Sequence, residues 1–176
     1  MEWTRTIDQL GFPPEVAEAY RRCLAAERGL VIVAGQRESG LTTTLYAGLL
    51  EVLASGKRRR IVTIEDPIAY PLAGVTQLAV SVKTGFFFDA GIDAARREGA
   101  EVIMVGGLFD RTTVDKALEA ARSCLVVASL FCMHPHEVAP LLVQQGAAAA
   151  DVEAALLGVF VQELVVKVEH STRYFS

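Results

Sequence analysis

The stretch from Gly29 to Leu45, GLVIVAGQRESGLTTTL, constrains the fold of this 176-residue chain more than any other. Leu30 to Ala34 form a continuous apolar run that reads as a buried strand. A loop bounded by Gly35 and Gly40 follows, and Thr42 to about Ala54 carries apolar residues at helical spacing in Leu45, Leu49, Val52 and Leu53. Strand, glycine-bounded loop and helix at this spacing form a phosphate-binding P-loop, G-x-x-x-x-G-K-[ST], with one exception. Leu41 stands where the lysine belongs. Such a loop wraps backbone N–H groups around phosphates at a helix N-terminus, and the lysine reaches the outer phosphates. Leucine keeps the helix and removes the charge, and Glu38 places a carboxylate inside the anion cradle.

The same alternation continues along the chain. A helix is expected from the Pro13-Pro14 pair to about Glu27, with Gly29 ending it. Arg60 to Glu65 reads as a strand ending in the adjacent acids Glu65 and Asp66, stopped by Pro67. Val75 to Val82 reads as a more exposed strand, and Phe86 to Arg97 as a helix whose three phenylalanines fill core space. Glu101 to Gly107 and Cys124 to Leu130 are buried strands separated by a helix from Thr112 to Arg122, with Asp110 near its N-cap. A helix from Pro135 to Gln145, a shorter one capped by Asp151, and strand character from Val159 to Val168 complete the series. Strands alternating with helices predict one α/β domain spanning residues 1–176, a three-layer sandwich around a mainly parallel sheet. The 52% hydrophobic content suits a sheet covered on both faces.

Composition excludes more than it assigns. A net charge of −4 gives no general case for nucleic acid, and Lys57 to Arg60 reads as a solvated approach to a strand. Cys23, Cys124 and Cys132 lack paired zinc spacing and form no disulfide framework, which favours a reducing, cytoplasmic compartment. The N-terminus has no signal-peptide pattern and no apolar run reaches the length of a membrane span. Cys132, His134 and His136 share an extended segment, yet no fourth ligand is apparent, so no metal is expected.

With its segments in order, the chain resembles the C-terminal motor domain of the type II secretion and type IV pilus ATPases, from about Leu10 to Lys167. Thr63-Ile-Glu-Asp-Pro-Ile-Ala-Tyr is similar to that family's aspartate box, and Thr42-Thr-Thr-Leu-Tyr and Ile103-Met-Val-Gly are similarly close. The resemblance implies a RecA-like P-loop fold. It also implies that Glu38 stands where a loop glycine belongs, Gly107 where the Walker B acid belongs, Phe109 where an arginine belongs, and Phe131 where a histidine belongs. Ser123-Cys124 replace a glycine–histidine pair, and Asp93 replaces an arginine while Arg97 is kept. The family's N-terminal domain, tetracysteine zinc motif and C-terminal helices are expected to be missing.

The residues kept from a nucleotide site are Gly35, Ser39, Gly40, Thr42, Thr43 and Glu65, read as vestigial. Catalysis by such a motor is mainly positioning and charge stabilisation. Losing one placed charge donor typically costs about 10²–10³ in rate. The expectation is a degenerate pseudo-ATPase with weak or absent binding of ATP and magnesium. It would act in the cytoplasm, as a monomer or small oligomer, on a protein partner such as an active pilus or secretion ATPase or a polar regulator. Two alternatives stand beside it. One is a weak ATPase completed by a lysine or arginine of a partner chain, or by Arg37 folding back over the loop. The other is a remodelled loop that binds a non-phosphate ligand.

Overall fold

In the computed structural model, residues 5–164 are described. A 3₁₀ turn, Ile7–Gln9, precedes α1, Pro14–Leu24, which leads to β1, Gly29–Gly35. Then follow α2, Leu41–Ala54, β2, Ile61–Glu65, β3, Thr76–Ala79, α3, Phe88–Arg97, and β4, Val102–Val105. The chain continues through α4, Arg111–Ala121, β5, Leu125–Phe131, α5, Pro135–Gln144, α6, Ala149–Ala155, and β6, Leu156–Gln162. The strands form one sheet in the order β3-β2-β4-β5-β1-β6, parallel at every pairing.

Alternation along the strands creates two cores. Leu30, Ile32 and Ala34 of β1 join Ile103 and Val105 of β4 beneath residues of α3, α4, α5 and α6. Val31 and Val33 join Val102 and Met104 on the other face, with Tyr20 of α1 and Leu45, Tyr46 and Leu49 of α2. Both faces of the central strands are therefore dry, which is why they read as unbroken apolar runs. The result is the expected three-layer α/β sandwich, and all its strand ends point the same way, so the loops after β1, β2, β4 and β5 gather on one edge.

Several boundaries differ from the sequence reading. The first helix stops at Leu24, and Gly29 instead opens β1 with φ +124°, pressed against Leu157: a Cβ there would lie 2.5 Å from the Leu157 side chain. The edge strand ends at Ala79 because Ser81 bridges antiparallel to Phe86 and turns the chain back. Of the three phenylalanines only Phe88 is buried; Phe87 is 47% exposed. Asp151 does not cap α6, which starts two residues earlier behind Ala148; it lies in the first turn and pairs with Arg122 at 2.8 Å. The last strand starts at Leu156, directly out of α6, and the part expected over residues 165–168 lies outside the described residues. Asp110 does cap α4, its carboxylate accepting from the Thr113 N–H at 2.9 Å.

Candidate functional site: the loop after the first strand

The loop keeps the shape of a phosphate cradle. Gly35 is packed so closely that a Cβ would meet the Gln162 carbonyl at 2.5 Å and Ser39 Oγ at 2.6 Å. Gly40 caps α2 with φ +88°. Glu38, where the family pattern has glycine, also adopts a left-handed conformation, φ +64°. That backbone is costly for a residue with a Cβ, so the loop shape outlives the residue suited to it.

Gln162, at the end of β6, ties this loop to its helix. Its Nε2 donates to the Ser39 carbonyl at 2.6 Å, and its Oε1 accepts from Thr44 Oγ1 at 2.6 Å. Ser39 Oγ is buried against Gly35 and has no hydrogen-bond partner among the described residues. Leu41 is 8% exposed and belongs to the apolar core with Val31 and Val33, so the lysine position is spent on packing.

Above the loop lies an open cleft of about 530 Å³ lined by Arg37, Glu38, Gly40, Leu41, Thr42, Asp66, Gly106, Phe109, Ser129 and Phe131. Of the six vestigial residues, Gly40 and Thr42 line it; Gly35 and Ser39 pack together in the loop, and Thr43 is half-buried in the first turn of α2. Glu65 faces the interior. Its carboxylate accepts from Tyr46 Oη and Thr63 Oγ1, each at 2.5 Å, and from Gln77 Nε2 of β3 at 3.2 Å. Burial, reinforced by that bond to Glu65, pushes the Tyr46 hydroxyl up to about 12. Glu65 thereby fastens the edge strand to β2 and α2.

The rest of the cleft is aromatic. The Phe109 ring folds back onto Gly107 so that a Cβ at 107 would collide with the ring edge. Phe109 stacks edge-on to Phe88 at 5.8 Å between centroids and tilts against Phe131 at 5.4 Å. The Arg37 guanidinium carbon lies 4.9 Å from the Phe131 ring centroid. Arg37 thus turns to an aromatic face rather than over the loop. His134 and His136 stack at 5.6 Å, and no group of three or more histidine, cysteine or acidic residues among the described residues could hold a metal.

The chain matches the family described as Type II/IV secretion system protein over residues 2–174. It belongs to that family. Curated relatives include the type IV pilus assembly ATPase PilB of Thermus thermophilus, 32% identical over 93% of this chain and 18% of PilB. The type II secretion system protein E of Pseudomonas aeruginosa is 36% identical over 90% of this chain and 32% of its own length. The solved pilus retraction motor PilT with bound ADP superposes with a TM-score of 0.80 at 26% identity, covering 96% of this chain and 50% of that one. The chain thus spans about a third or less of the length of these two curated family members. The RecA-like P-loop fold follows from this likeness.

Two features of the site were not read from the sequence. Gln162 lies 118 residues from Thr44, and no local pattern pairs them. The phenylalanines at 109 and 131 were legible singly as replacements, but their stacking depends on β4 and β5 being neighbours.

Proposed function

We propose that this domain is a non-hydrolysing pseudo-ATPase that acts in the cytoplasm through protein contact, as a regulatory or structural partner in a type IV pilus or type II secretion machine. The observation that carries this reading is the Phe109 ring folded onto Gly107, where the family pattern puts the Walker B acid. Among the described residues Arg37 is the only cation lining the cleft; it is turned to Phe131, and Leu41 brings no charge. The Glu38 carboxylate lines the same cleft and opposes a triphosphate. Without a cation on the outer phosphates the positioning and charge stabilisation that phosphoryl transfer needs are missing.

The test is ATP turnover by the purified domain, alone and mixed with an active secretion or pilus ATPase. No turnover by the domain in either setting, traced with the partner's own catalytic acid removed, agrees with the reading. A second reading rests on the preserved cradle shape at Glu38 and Gly40: a weak nucleotide site completed by a cation from a partner chain. Turnover that appears only in the mixture selects it.

A further inference from the structure

The cleft carries groups that suit a cation. Its carboxylates, Glu38 and Asp66, are exposed and make no ion pair or side-chain hydrogen bond among the described residues. The same cleft is lined by Phe109 and Phe131, 49% and 38% exposed. Aromatic faces carry negative potential, and a guanidinium both stacks on them and forks to carboxylates better than an ammonium does. Arg37 already places its guanidinium over the Phe131 ring.

We propose that this cleft is a docking socket for an arginine side chain of a partner protein, stacked on Phe109 and Phe131 and paired with Glu38 and Asp66. The proposal rests on the reading that no nucleotide fills the cleft, and it names the chemistry of the partner. A protein rather than a small guanidinium compound suits the exposed Phe109 and Phe131, since a desolvated arginine anchor ringed by water-excluding contacts is how protein interfaces concentrate their energy. Arg37 is then an internal competitor for the Phe131 face, displaced or shared when the partner's arginine arrives.

The test is a nuclear magnetic resonance titration of the isotope-labelled chain with an acetylated, amidated peptide carrying one central arginine among alanines and glycines. A matched peptide with glutamate in place of arginine and magnesium-ATP are run beside it. Saturable shifts at the amides of residues 36–42 and 106–109 are expected with the arginine peptide alone. The double variant Glu38→Gln, Asp66→Asn should bind at least about fivefold more weakly, and Arg37→Ala should bind more tightly by a similar factor. Absence of saturable shifts up to about 10 mM peptide overturns the proposal. Equal binding of the glutamate peptide, or unchanged affinity in both variants, does the same. If the arginine peptide fails while ATP also fails to bind, this proposal falls and the pseudo-ATPase reading stands. Micromolar ATP binding overturns both.

Discussion

Glu38 holds a left-handed backbone at φ +64° in a loop position where glycine would be unstrained. Its side chain is exposed and without a partner among the described residues, so nothing local offsets that strain. Glu38→Gly should therefore raise stability by about 1 kcal/mol, the left-handed penalty less the entropy glycine adds to the unfolded chain. Urea unfolding checks this, and an unchanged or lowered midpoint would count against a strained cradle. At this scale the sequence was half legible. The residues at 38, 41, 107, 109 and 131 showed what had been lost, because each could be matched to a motif position. They did not show what had replaced it, since the contact of Phe109 with Phe131 and the seat of Arg37 on Phe131 are made by packing across strands.

At the scale of elements, β6 and α2 are joined through Gln162, which satisfies the Ser39 carbonyl and the Thr44 hydroxyl together. Gln162→Ala leaves both without that partner and should cost about 1–3 kcal/mol. Amide hydrogen exchange would locate the effect in residues 36–44, with faster exchange there than in β4. A loss of stability without that local signature would mean Gln162 acts elsewhere. The elements themselves were largely readable because strands buried on both faces leave unbroken apolar runs in the sequence. Boundaries failed where a tertiary contact overrode a local signal. Gly29 stands where a helix terminator is expected, yet its small size serves the approach of Leu157. Asp151 looked like a cap, but its charge is used on Arg122.

For the whole molecule, buried protonated groups set the alkaline limit of stability. Burial pushes the Cys124 thiol up to about 11 from 9.0, and the Tyr46 hydroxyl, also bonded to Glu65, up to about 12 from 10.0. Both groups hold their protons more tightly when folded. Their stabilisation is therefore complete below the unfolded values and is lost as pH rises through the folded ones. The midpoint of urea unfolding should fall progressively between about pH 9 and pH 12. Tyr46→Phe should flatten the upper part of that decline, and an identical slope in the variant would remove Tyr46 from the account.

We propose that the cradle has kept its fold while giving up its nucleotide, with Leu41 in the core, Phe109 on Gly107 and Glu38 in the loop acting together. Restoring one group should not restore the site. The most direct measurement is calorimetric titration of magnesium-ATP into the chain and into Leu41→Lys. No saturable heat is expected up to about millimolar nucleotide for either protein, an affinity weaker than roughly −4 kcal/mol. A micromolar dissociation constant for the unaltered chain would contradict it.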